Sequence, residues 1–202
     1  MVLCCLCGTG CKDYFIDEGV PNPVFDGNML EFLENDPDNW SLTVELIGRA
    51  GLQSLFRGED PDCPEITFFA PTNLSIYQFL FKTTGSEGKR LYATVGDIPE
   101  EECRELVLAY VVAGSRQKED FDYEVKGTLE GGTVVRTLSD LELRVYRTKT
   151  AVNGIPDIGP EGMGIHFLSS GHLATVVSAG HVTNTGMVHA LSSTFQLVNP
   201  KD

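Results

Sequence analysis

The stretch Thr67-Phe68-Phe69-Ala70-Pro71-Thr72-Asn73 decides how the first half of this chain folds. Aromatic and β-branched side chains occupy both faces of residues 65–70, which predicts a strand buried on each side. Pro71 lacks a backbone donor and ends that strand. Thr72 or Asn73 is a natural helix cap, and apolar residues then recur at helical spacing. We therefore assign Pro71, Thr72 and Asn73 a structural role rather than contact with a ligand.

A second stretch, Asn184-Thr185-Gly186-Met187-Val188-His189-Ala190-Leu191, predicts a turn followed by a strand. Asn184 and Gly186 tolerate positive φ, so the chain can reverse there. His189 then alternates with apolar residues. A lone histidine on an apolar face is usually a satisfied hydrogen-bonding group, and no neighbouring Cys or carboxylate has metal-ligand spacing with it. We expect His189 to lie in the core.

The residues between these stretches predict both helices and strands. Residues 97–102 (DIPEEE) have the features of a helix start: a capping Asp, an early proline and three carboxylates that the helix dipole favours. An apolar stripe at Cys103, Leu106, Val107 and Tyr110 continues that helix. Residues 133–138 and 141–148 predict a hairpin, and residues 173–179 and 194–198 predict further strands.

Residues 150–172 are rich in glycine and contain two prolines, which predicts a long loop. Binding residues concentrate on loops that a rigid scaffold carries. Asp157, Phe167 and His172 in this segment are therefore candidate partner-binding residues.

Together, the two quoted stretches resemble the two signature boxes of the fasciclin (FAS1) domain, in the right order and at a similar separation. The resemblance covers about residues 26–200, including apolar helical stripes in residues 29–56 that break at Asp36-Pro37. It implies an α+β fold: a single fasciclin-like domain, a β-sandwich or wedge of about seven strands with several helices packed along one edge. It also implies that residues 150–172 are an insertion, because this region is usually shorter in the family.

The function that the resemblance implies is non-catalytic adhesion, through contact with an extracellular protein or polysaccharide. Family members usually carry a Tyr-His pair where this chain has Tyr110-Val111, so Tyr110 joins the candidate partner-binding residues. The alternative is a glycan-binding accessory lipoprotein of a polysaccharide-uptake system, with the aromatic rings of Phe167 and Tyr146 stacked on sugars.

Charge and motifs exclude other classes of function. A formal net charge of −14 argues against nucleic-acid binding, because phosphate contacts require clusters of Lys and Arg. Four histidines, at positions 166, 172, 181 and 189, are the basis for an acid–base or metal hypothesis. No zinc-protease, nucleophile-elbow, P-loop or dinucleotide motif accompanies them, so we expect no enzyme, no cofactor and no metal.

The first residues differ from the rest, since residues 1–11 hold four of the six cysteines in a short apolar run. Gly8-Thr9-Gly10-Cys11 resembles a relaxed bacterial lipoprotein box, and the residues that follow resemble the start of mature Bacteroidetes lipoproteins. We expect a signal segment at 1–11, lipidation of Cys11, a tether at 12–25 and an outer-membrane lipoprotein exposed at the cell surface.

Cysteine spacing leaves two questions open. Cys4, Cys7 and Cys11 have an alternative interpretation as a metal or redox cluster. Cys63 and Cys103 are either a disulfide, which an exported location permits, or two unpaired thiols.

Overall fold

The computed structural model describes residues 24–85 and 87–197, which form five α-helices beside a mixed β-sheet. The helices are α1 (Met29–Glu34), α2 (Pro37–Arg49), α3 (Gln53–Phe56), α4 (Asn73–Lys82) and α5 (Glu100–Leu108). The strands are β1 (Ile66–Ala70), β2 (Val111–Ala113), β3 (Thr133–Arg136), β4 (Glu142–Lys149), β5 (Glu161–Phe167), β6 (Leu173–Thr183) and β7 (Gly186–Leu191). Within these residues, no helix is long and apolar enough to cross a bilayer.

The seven strands form one sheet in the order β2-β1-β7-β6-β5-β4-β3. All neighbours are antiparallel except β1 and β7, which run parallel, with Phe69 opposite His189. The two edges of the sheet meet where Val112 of β2 bridges Thr137, just beyond β3. The fold is the α+β domain expected from the sequence.

The first stretch forms β1 and the start of α4, as predicted. All five residues of β1 are buried, and the Thr72 side chain accepts a hydrogen bond from the Ser75 amide. Asn73 joins α4 to α2: its amide group donates to the carbonyls of Pro37 and Asp38 at 3.0 Å each, and its oxygen accepts from the Leu42 amide at 2.8 Å. These contacts leave Asn73 a structural residue.

The second stretch forms the turn before β7. Gly186 has φ of 131°, and a Cβ at this position would stand 1.9 Å from the Ile66 carbonyl oxygen, so only glycine fits between the parallel strands. Its neighbour Thr185 anchors the N-terminal helices, since its hydroxyl accepts from the Met29 amide at 2.9 Å and donates to the Phe56 carbonyl at 3.1 Å.

His189 is fully buried in β7, and both of its ring nitrogens are hydrogen-bonded. The Gly180 amide donates to Nδ1 at 3.1 Å, so Nε2 carries the proton and donates to the Arg116 carbonyl at 3.0 Å. Burial lowers the pKa of the imidazole from 6.5 to about 4. His189 is therefore a neutral core residue whose ring stacks on Phe69.

The apolar stripe of α5 is buried as predicted, but the predicted cap is wrong. Asp97 ends a short 3₁₀ turn at Val95–Asp97, where its carboxylate accepts from the Thr94 amide at 2.9 Å. Pro99 occupies the N-cap position of α5, and no side chain caps that helix. Three glutamates in its first turn favour the start of α5 instead.

The expected loop at residues 150–172 is also wrong. Residues 161–167 form β5, which pairs with β4 on one side and β6 on the other. The glycines that suggested a loop have a packing role: a Cβ at Gly164 would stand 2.6 Å from the ring of Tyr146 on β4. The irregular segment is therefore limited to residues 150–160, with a short turn after β5.

Two further expectations concern the C-terminal strand and the cysteines. Residues 194–197 are turn and irregular structure rather than a strand, and Phe195 and Leu197 are nevertheless buried. Cys63 and Cys103 are unpaired thiols, and burial raises the pKa of Cys103 to about 11.

Candidate binding groove

A groove of about 390 Å³ opens where the C-terminal end of β4 meets the segment that precedes β3. Two of its residues, Tyr123 and Arg147, are held together by the backbone, since the two positions form a parallel bridge. The lining combines one aromatic ring with side chains of both charges: Tyr123, Glu124, Lys126, Arg147, Thr148, Lys149 and Asp157. We call this site the β4 groove.

One carboxylate, that of Glu161, holds together the side chains of Tyr123, Arg147 and Lys149, which form the floor of the β4 groove. Glu161 lies directly across the sheet from Lys149, whose Nζ is 3.4 Å from Glu161 Oε1. Arg147 Nη1 and Lys118 Nζ approach the other oxygen at 3.9 and 4.0 Å, and the Tyr123 hydroxyl donates to Oε1. The Tyr123 hydrogen bond and the Lys149 ammonium lower the pKa of Glu161, which stays ionised.

The same contacts fix the Tyr123 ring. The Arg147 guanidinium lies 4.1 Å from its centroid and Lys149 Nζ lies 4.8 Å from it. Tyr123 is 37 % exposed and the Lys149 side chain is 35 % exposed, so an aromatic residue and an ammonium donor reach solvent together. Hydrogen bonding to Tyr123 and Glu161 raises the pKa of Lys149, and this donor keeps its charge at neutral pH.

The short loop at residues 150–160 forms the rim of the β4 groove. Asp157 has φ of 63°, and its carboxylate lies 2.5 Å from Lys126 Nζ, which also donates to the Lys149 carbonyl at 2.7 Å. Ile155 and Ile158 on either side of Asp157 are more than half exposed. The rim thus offers aliphatic surface next to the polar floor.

The structure separates the four candidate partner-binding residues. Asp157 lies in the β4 groove, whereas His172 is exposed beyond the opposite end of β5, roughly 20 Å away at the rise of a strand. Tyr110 and Phe167 have no exposed surface and pack against each other at 5.6 Å between ring centroids. Their expected contact with a partner is wrong, because both rings belong to the core.

The aromatic rings of the glycan alternative are also covered. Phe167 stacks on Phe195 in the core. Tyr146 is half-buried between the Cα of Gly164 and the Arg144 guanidinium, which lies 4.5 Å from its centroid. Neither ring presents a free face to a sugar.

Apart from Asp157, the residues that line the β4 groove were missed by sequence reasoning. Nearly half of the 15 Lys and Arg residues fall between positions 116 and 149 of an otherwise acidic chain, and this was the available signal. It gives no indication that Glu161, on the next strand, converges with Tyr123.

The structure bears on a metal site in the described residues, but not on the hypotheses that concern the N-terminal cysteines. Within residues 24–85 and 87–197, no three His, Cys, Asp or Glu side chains are placed to hold a metal ion. Cys4, Cys7 and Cys11, with the expected signal segment and most of the tether, lie outside the described residues.

A family profile for the Fasciclin domain matches residues 38–196, which is more than half of the chain. The chain belongs to the fasciclin domain family. Fasciclin domains are adhesion-type modules, generally non-enzymatic and typically extracellular or at the cell surface. The β4 groove lies on β4, the loop before β3 and the rim loop, all within the matched residues.

A similar solved structure is the FAS1 domain pair of the insect cell adhesion molecule fasciclin I, with a TM-score of 0.51 and 13 % sequence identity. The alignment covers 85 % of this chain and 45 % of that one, so the chain spans about half the length of the domain pair. At this identity the likeness shows the fold alone. A search of curated protein sequences gave no significant match.

Proposed function

We propose that this fasciclin domain is a non-catalytic adhesion module anchored to the bacterial envelope, and that it contacts an extracellular protein or polysaccharide through the β4 groove. The observation that carries the proposal is the convergence of Tyr123, Arg147 and Lys149 at an open groove, where contacts to Glu161 hold all three. Aromatic rings and Arg side chains are enriched where proteins bind partners.

The groove suits a polar extended partner. Arg147 and Lys149 supply donors, Glu124 and Asp157 supply acceptors, and Ile158 at the rim supplies apolar contact. Because ion pairs to Glu161 already hold the Arg147 and Lys149 side chains, these side chains lose little conformational entropy on binding. The acidic remainder of the domain disfavours polyanions such as nucleic acids.

The anchoring part of the proposal rests on residues 1–25. Lipidation of Cys11 would tether the domain at the outer membrane, and residues 12–25 would hold it away from the bilayer surface. Mass spectrometry of the membrane fraction should find an acylated N-terminal Cys11, and Cys11→Ser should release the protein. A wild-type protein that is found unacylated in the soluble fraction would contradict this.

Binding at the groove is tested with an array of extracellular matrix proteins and surface polysaccharides. Lys149→Glu places a carboxylate beside Glu161 and should lower binding about tenfold or more, because like charges repel where donors are needed. Arg57→Glu, an equal charge reversal on an exposed residue outside the groove, is the matched control and should bind as the wild type does. Equal losses in both variants would show a non-specific charge effect and refute the groove.

A further inference from the structure

The outer side of α4 exposes an apolar stripe that the rest of the domain leaves uncovered. Leu74, Tyr77 and Phe81 recur at i, i+3 and i+7, and they are 50 %, 58 % and 68 % exposed. Leu91 follows α4, is 51 % exposed, and donates its amide to the Thr83 carbonyl at 2.9 Å, next to the end of the helix. Contiguous exposed apolar surface of this kind marks an interaction site.

The opposite side of α4 is anchored in the core. Ile76, Phe79 and Leu80 are buried, and the Thr72 and Asn73 side chains fix the start of the helix. Both sides of α4 are thus apolar: one side is buried in the core, and the stripe on the other side is exposed.

Basic residues border the stripe in a chain that is otherwise strongly acidic. The Arg90 guanidinium lies 4.8 Å from the centroid of Phe81, and Lys82 and Lys89 are exposed nearby. Glu87, which pairs with Lys89, is the single acidic residue between positions 66 and 96. Three cations against one carboxylate give this segment a charge of +2, whereas the whole chain carries −14.

We propose that this apolar–basic face, formed by Leu74, Tyr77, Phe81 and Leu91 with Lys82 and Arg90, docks on an anionic lipid surface. Protruding Leu, Tyr and Phe side chains bordered by Lys and Arg are the composition of interfacial helices that lie in the headgroup region. The Tyr77 ring places its hydroxyl at headgroup level, and the bordering cations face lipid phosphates. The rest of the domain is acidic and is repelled by anionic lipids. The domain therefore approaches the bilayer with its apolar–basic face first.

Two observations disfavour a second copy of the chain as the occupant. A symmetric contact would bring two copies of this segment together, each with a charge of +2, which is a like-charge arrangement. A stripe of four exposed side chains is also small beside the roughly 800 Å² per partner of a standard interface. Docking on a bilayer requires neither an acidic partner protein nor a concave surface on this domain.

The test is sedimentation with vesicles, using chains that all carry Cys11→Ser so that no acyl group contributes. We expect binding to vesicles of equal parts phosphatidylcholine and phosphatidylglycerol, and weaker binding to phosphatidylcholine alone. Phe81→Ser should lower the partition coefficient about tenfold, because one inserted ring contributes on that scale. Arg90→Gln should lower it about fivefold on anionic vesicles only.

Leu129→Ser is the matched control, since Leu129 is 67 % exposed and lies on the loop before β3, away from α4. It should bind vesicles as the parent chain does. Phe81→Trp adds a reporter, because the chain has one other tryptophan, Trp40, which is buried. Its emission should shift to shorter wavelength on anionic vesicles, and circular dichroism checks that each variant is folded.

Three results would overturn the proposal. The first is no binding of the folded parent chain to anionic vesicles, and the second is an equal loss in Phe81→Ser and Leu129→Ser. The third is a parent dimer in sedimentation velocity that Phe81→Ser dissociates, which would make a second copy the occupant. None of these variants replaces a residue that lines the β4 groove. Failure of the vesicle test and failure of the groove's binding test can therefore be told apart.

Discussion

Replacing His189 with alanine should destabilise the domain by an amount that depends on pH. Near pH 7.5 the variant leaves the Gly180 amide and the Arg116 carbonyl without partners and removes a ring that stacks on Phe69 at 5.5 Å. Two lost buried hydrogen bonds and a cavity of this kind cost about 3–4 kcal/mol of unfolding free energy.

Acid should shrink that difference. The pKa of His189 falls from 6.5 to about 4 on folding, chiefly because burial penalises the charged ring. The stability that the neutral ring contributes is therefore complete above pH 6.5 and is lost as pH falls towards 4. At about 1.36 kcal/mol per pH unit, the wild type loses about 2 kcal/mol from this group by pH 5. The alanine variant has no such loss.

Urea denaturation of both chains near pH 7.5 and near pH 5 measures this directly, because every other titrating group is shared and cancels in the comparison. The difference should fall from about 3–4 to about 1–2 kcal/mol. His172→Ala removes an exposed histidine and should change the stability near pH 7.5 by less than about 0.5 kcal/mol. A His189→Ala difference that is equal at the two pH values would refute a neutral buried imidazole.

Three further predictions test the packing. Gly186→Ala should lower the free energy of unfolding by at least about 3 kcal/mol in thermal or urea unfolding, because its Cβ would meet the Ile66 carbonyl. Gly51 has φ of 65° but open space around it, so Gly51→Ala should cost about 1 kcal/mol. Gly164→Ala should cost about 1–3 kcal/mol by displacing the Tyr146 ring, and a neutral result would show that the ring moves freely. Replacing residues 152–158 with a short Gly-Ser linker should change stability by less than about 1 kcal/mol, while extending the replacement to residue 167 should prevent folding, since it removes β5. Equal stability of the two replacement variants would show that β5 is dispensable.

Features that depend on near neighbours in the chain could be predicted from the sequence. Pro71 ends β1 and Thr72 caps α4, because the cap bonds an amide three residues away. The break at Asp36-Pro37 and the buried stripe of α5 follow for the same reason. The family assignment was within reach because both of its boxes are short and local.

Features that depend on pairing across the sheet required the tertiary structure. Residues 161–167 look like a glycine-rich loop, and they become a strand because β4 and β6 supply hydrogen bonds on both sides. The same pairing buries Phe167, which the sequence placed at a binding surface.

The β4 groove shows the difference most clearly. Tyr123 and Glu161 are 38 residues apart, and their contact exists only because β4 and β5 align Lys149 with Glu161. The sequence by itself determined that this chain is acidic, through its composition, and that it is an α+β fasciclin domain with His189 in the core, through its two local boxes. The tertiary structure decided which charges converge and which aromatic rings reach solvent, because strand register, rather than local sequence, sets those distances.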